Sequence, residues 1–155
     1  MRKLLFILLF VCGMLSTAAA QDMRTLFMDA PDEVLPLLPR NARADCIGLV
    51  DAGMSYPVTN LLGGKSMLKV LTNDYLLLQS TGSSVVEMKL LPFKGGFIIC
   101  VVKSVSAEAT DSRIAFYDKS WRLLDASQFF TAPSIRDFFT TPDSKILDIC
   151  DMYLE

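Results

Sequence analysis

Val85–Leu91 (VVEMKLL), the turn Lys94-Gly95-Gly96 and Phe97–Ser106 (FIICVVKSVS) decide the fold. Two β-rich runs flank a glycine turn, and a loop this short joins antiparallel neighbours, since parallel strands need a crossover of about a dozen residues or more. Side chains of a strand alternate between two faces, yet Phe97-Ile98-Ile99-Cys100-Val101-Val102 is apolar at every position. Both faces of that strand must therefore be covered.

The same punctuation extends in both directions. Ser66–Thr72, Tyr75–Ser80, Arg113–Tyr117 and Trp121–Leu124 read as further strands, divided by Asn73-Asp74, Thr81–Ser84, Glu108–Asp111 and Asp118–Ser120. Upstream, Asp29 is expected to cap a helix opening at Ala30-Pro31, with Asp32 and Glu33 at its positive end and Pro36 and Pro39 breaking it. A second helix is expected over Ala42–Ala52, with Ile47 and Val50 near one face and Gly53 as its left-handed stop. Downstream, Ser134 is read as the cap of a short helix to Phe139, and Lys145–Leu154 as a last strand. The expected class is α+β, with N-terminal helices packed on an antiparallel β-meander of about six or seven strands. The helices cover one sheet face; the other calls for a later helix, a curled sheet or a partner subunit.

Met1-Arg2-Lys3, the apolar run Leu4–Leu15 and Ala18-Ala19-Ala20 before Gln21-Asp22 form a positive n-region, a short h-region and a small-residue cleavage site. The run is too short for a membrane helix, which needs roughly 20 apolar residues. Residues 1–20 thus read as a signal peptide and 21–155 as one α+β domain, located in the periplasm or outside the cell, with no stable membrane span after cleavage. Cys12 raises a lipoprotein alternative, but bulky Val11 stands where a small residue is expected. The chain stops at Asp151–Glu155 within a pattern that still reads as structured, which fits either a truncated frame or an unusual natural end.

Cleavage removes Arg2 and Lys3 and no acid, leaving thirteen bases against seventeen acids and a net charge of −4. Such a surface argues against nucleic acid and anionic membranes as partners. The 155-residue chain has no histidine, which excludes Ser-His-Asp and Cys-His nucleophile systems and histidine-containing metal sites. Three cysteines, Cys46, Cys100 and Cys150, cannot supply a four-thiolate zinc site; export would permit one disulfide, while their apolar neighbours equally suit buried free thiols. No metal or cofactor is expected.

The remaining motifs are weak. Gly63-Gly64-Lys65-Ser66 resembles the end of a phosphate-binding loop, but Thr59 stands where its first glycine belongs. Ser66-Met67-Leu68-Lys69 matches S-x-x-K, whose chemistry needs both residues on one helix face, whereas a strand sends positions i and i+3 to opposite faces. Asp29 with Asp32, and Asp148 with Asp151, are local carboxylate pairs of the kind that usually cap or face water. Phe116, Tyr117, Trp121, Phe129, Phe130, Phe138 and Phe139 crowd one stretch; most are expected in the core, with Tyr117 and Trp121 as the candidate binding residues.

Asp29-Ala30-Pro31 with Leu35-Pro36-Leu37-Leu38, Asn60-Leu61-Leu62-Gly63-Gly64-Lys65-Ser66, Leu90-Leu91-Pro92, Asp111–Tyr117 and Trp121 together resemble an uncharacterised family of exported proteins from Bacteroidales gut and oral bacteria, a domain of unknown function. The resemblance runs from about Leu26 to Phe139 and implies an envelope or secreted setting, with relatives that continue further; it carries no catalytic residues. The sequence thus points to a non-enzymatic module that binds an envelope protein, peptide or glycan. A small hydrolase using Ser-Lys or paired carboxylates is the alternative, and self-association through the apolar sheet face a third reading. Mass spectrometry of native protein is expected to find the amino terminus at Gln21; an intact Met1 on material from the cell interior would overturn the export reading.

Overall fold

The computed structural model describes residues 22–134 together with Asp137. Two helices lead the chain, α1 (Met23–Asp29) and α2 (Arg40–Asp51), followed by β1 (Val58–Thr59), β2 (Lys65–Leu71), β3 (Tyr75–Gln79), β4 (Ser84–Phe93), β5 (Gly96–Ser106), β6 (Thr110–Tyr117) and β7 (Leu123–Leu124), then a 3₁₀ turn at Ala126–Gln128. The strands form one antiparallel sheet in sequential order, β1 to β7. The α+β class and the meander are as expected. The five longer strands fall on the runs read from sequence, and β1 was too short to register as a period.

The first helix lies elsewhere than expected. It opens at Met23, capped by Asp22, whose Oδ1 accepts from the Thr25 N–H at 2.9 Å, and it ends at Asp29. A residue before proline is driven out of the helical region, and Ala30, preceding Pro31, is extended at φ −57°, ψ 135°. Asp29 therefore closes a helix rather than opening one. The overlooked signal is the apolar spacing Met23, Leu26, Phe27 and Ala30, all of them buried. Helix α2 starts two residues before the expected Ala42, behind Pro39 as N-cap. Gly53, at φ +68°, ends it as expected: its N–H donates to Val50 O and that of Met54 to Leu49 O, which satisfies two last-turn carbonyls.

Register divides the sheet into two faces. Leu76 and Leu78 of β3, Met88 and Val86 of β4, and Ile99 and Val101 of β5 lie on one face and form a single buried cluster with Met23, Leu26 and Phe27 of α1 and Ala42, Cys46 and Ile47 of α2. On the opposite face Ile98 is 5% and Phe116 3% exposed, so both faces of β5 are covered there. Phe129, after the 3₁₀ turn, supplies part of that cover, its ring centroid 5.1 Å from those of both Phe93 and Phe116. Ser134 and Asp137 are linked, the Ser134 N–H donating to Asp137 Oδ2 at 2.7 Å and Asp137 N–H to Ser134 O. The rest of the expected 134–139 helix, the 145–154 strand and the leader lie outside the described residues.

The proline-rich connection between the helices is fixed by a buried cation. Arg43 is 2% exposed; its Nε donates to Leu38 O at 2.7 Å, its Nη1 to both Ala30 O and Met28 O, and its Nη2 to Asp32 Oδ1 at 2.9 Å. Desolvation pushes its pKa down while Asp32 opposes the shift. Arg43→Met leaves buried carbonyls without donors and is expected to cost about 3 kcal/mol or more in chemical denaturation. Asp32→Ala, whose side chain is 85% exposed, should cost much less.

Candidate functional site

A groove of about 150 Å³ opens between the proline-rich turn and one end of the sheet. Val34, Pro36 and Leu38 form one wall, Leu78 and Val86 the other, and Lys103 stands among them. The turn wall is anchored at both ends. Arg43 holds the side next to α1, and the Leu61 N–H donates to Leu37 O at 3.1 Å on the side next to the β1–β2 turn. Lys103 lies on the core face of β5, in register with Val86 on one side and Arg113 on the other. Its Nζ donates to Glu33 O at 3.2 Å, and burial lowers its pKa. Neither Lys103 nor Arg113 belongs to an ion pair among the described residues. The sequence did carry the signal: Lys103 continues the alternate positions Phe97, Ile99 and Val101, so a cation belongs to an otherwise apolar face.

The residues nominated from sequence are mostly committed to structure. Ser66 is buried, its Oγ donating to Ser80 O at 2.6 Å and accepting from Asn60 Nδ2 at 3.2 Å, while Lys69 is exposed at the register shift between Leu68 and Val70. Their amine and hydroxyl do not converge. The Gly63-Gly64 segment is a tight turn ordered by buried Asn60, whose Oδ1 accepts from the N–H groups of Leu62 and Gly64. Those donors are then spent within the turn and cannot cradle a phosphate. Asp29 pairs with Arg40 at 2.8 Å and Asp32 with Arg43, each carboxylate on its own arginine. Asp148, Asp151 and Cys150 lie outside the described residues. Cys46 and Cys100 are free thiols. They sit apart by construction, Cys46 in the helix-side core and Cys100 opposite Phe116 on the other sheet face.

Tyr117 and Trp121 are brought together, ring centroids 5.5 Å apart, half-buried against the core cluster. Asp118 makes the turn that does this, accepting from the Ser120 and Arg122 N–H groups and from Arg122 Nε. Trp121 is held at φ +61°, a left-handed conformation that costs a non-glycine residue about 1 kcal/mol or more. Its indole Nε1 is buried without a hydrogen-bond partner among the described residues.

Residues 15–153 match a family model described as "Protein of unknown function (DUF3256)". The chain belongs to this family. It is also similar to a solved structure described as a domain of an uncharacterized protein from Porphyromonas gingivalis W83, a Bacteroidales bacterium. The two are 29% identical with a TM-score of 0.67, over 82% of this chain and 67% of that one. No curated protein matches. The resemblance read from the sequence motifs is the family found, and the DUF3256 match covers nearly all of the chain.

Ionisation bounds the stability window. Burial raises the Cys46 thiol from 9.0 to about 11 and also raises Cys100 and Tyr117, while a hydrogen bond to Glu87 raises Tyr75. These groups stabilise the fold fully below their unfolded values, and that contribution is lost as pH climbs from about 9 through 11. Asp22 and Asp118 are lowered chiefly by backbone N–H donors, and Asp51 and Asp74 by Arg24 and Lys89. Their contribution is present above the ordinary carboxylate value of 3.8 and falls away below it. Thermal melts across pH should show a plateau with both flanks falling, and iodoacetamide at pH 8 should leave Cys46 unlabelled until the protein unfolds.

Proposed function

We propose that the protein is an exported, non-enzymatic binding module of the cell envelope or its surroundings, and that the groove beneath the proline-rich turn receives the apolar part of its ligand. The export element rests on the n-region, h-region and cleavage pattern of Met1–Ala20. The binding element rests on one observation above all: an apolar groove with a half-buried ammonium among its lining residues, beside catalytic candidates already engaged in structural bonds. A few polar groups converging in an apolar concavity is the common form of a ligand site.

Ligand-observed NMR with a library of small apolar fragments tests this reading. Wild type should bind several of them, and Val105→Glu, which puts a carboxylate on an exposed groove-lining position without touching the core, should lose them. Ester, amide and glycoside substrates should turn over no faster than in buffer. Turnover abolished by Ser66→Ala would replace the binding module with the hydrolase.

The same reading puts a second contact, with an envelope protein, peptide or glycan, at the partly exposed rings of Tyr117 and Trp121, which pack together with centroids 5.5 Å apart. Trp121→Phe replaces the indole by a smaller phenyl ring and removes its N–H. It should fold as wild type does with a modest loss of stability and weaken that contact, whereas unaltered capture of the same envelope material would remove these residues from the proposed surface.

A further inference from the structure

The groove has a charge pattern that selects among apolar ligands. Lys103 and Arg113 are directly paired across β5 and β6, on the same face of the sheet. Side chains so placed start about 5 Å apart at Cβ. No carboxylate lies within ion-pair distance of either among the described residues. The acids on the neighbouring turn do not relieve them: Asp32 is paired with Arg43, and Glu33 offers Lys103 its backbone carbonyl at 3.2 Å. One of the ammonium's three donors is thereby used. A partly desolvated ammonium at an apolar groove, with no carboxylate paired to it among the described residues, is an arrangement that an anion would neutralise.

The volume of the groove suits a small apolar group. About 150 Å³ is the volume in which an apolar protein cavity holds a benzene-sized group. We infer that the groove binds small free carboxylic acids, with a branched or aromatic group of about six heavy atoms against Val34, Leu38, Leu78 and Val86 and the carboxylate on Lys103, Arg113 adding positive charge from the neighbouring strand. This rests on the groove being the ligand site and adds the ligand's charge and dimensions.

Titration of the full chain with 4-methylpentanoate, followed by two-dimensional NMR, tests the inference against two controls, 4-methylpentanol and acetate. The acid should shift amides of β3, β4, β5 and the proline-rich turn, bind about tenfold more tightly than the alcohol, and outcompete acetate. Lys103→Met should lose about tenfold in affinity for the acid and nothing for the alcohol, Lys103→Arg should restore the preference, and the exposed Arg113→Met should lose a smaller part. If the alcohol binds as well as the acid, or Lys103→Met binds the acid as wild type does, carboxylate selection is wrong while the groove remains a binding site. If neither compound shifts groove amides and the fragment library also fails, both readings fall.

Discussion

The guanidinium of Arg43 is the interaction on which the rest of the structure depends. Between α1 and α2 the chain carries Pro31, Pro36 and Pro39, each without an N–H, and the bend they impose turns the carbonyls of Met28, Ala30 and Leu38 inward. Buried carbonyls without donors would each cost about 1–3 kcal/mol. Arginine has five N–H donors in a fixed fork and keeps its charge, so one side chain from the next helix meets all three and reaches Asp32 at the surface. The turn can then lie over the sheet as a wall, and the groove exists because that wall is fixed.

Behind it, the meander turns a simple alternation into two distinct surfaces. Residues of one parity on β3, β4 and β5 meet the helices; on the other face Phe93 of β4 and Phe116 of β6 meet Phe129. Lys103 breaks the parity rule by placing a cation on the helix-facing side, at the end of the strand where the helices no longer cover it. Buried Asn60 performs a similar service on the other side of the groove, ordering the β1–β2 turn so that Leu61 can anchor Leu37. The candidate site is therefore a by-product of two polar residues solving backbone problems around a connection rich in proline.

The reactive-looking motifs have the same explanation. The Ser66 hydroxyl satisfies Ser80 O, and Asp29 and Asp32 neutralise arginines that hold the helices and turn. A short sequence match reports residue types; it is the hydrogen bonds already made that decide whether those residues are available for chemistry.

Much of this was legible in the chain. Period-two apolar runs and short turns determine β2 to β6 and their antiparallel order, because neither feature depends on distant residues. The stop at Gly53 and the pairing requirement on both faces of Phe97–Val102 are equally local. The first helix was misplaced because Asp29 carries the chemistry of a cap, and only the apolar spacing from Met23 to Ala30, buried in the finished core, shows which side of Asp29 is helical. The groove was not legible at all. It joins residues 34–38 to residues 78–105, and nothing near either segment encodes their approach. Local propensity fixes elements, while the meeting of Arg43, Lys103 and the proline-rich turn follows from burial and hydrogen bonding that exist only once the helices and sheet have come together.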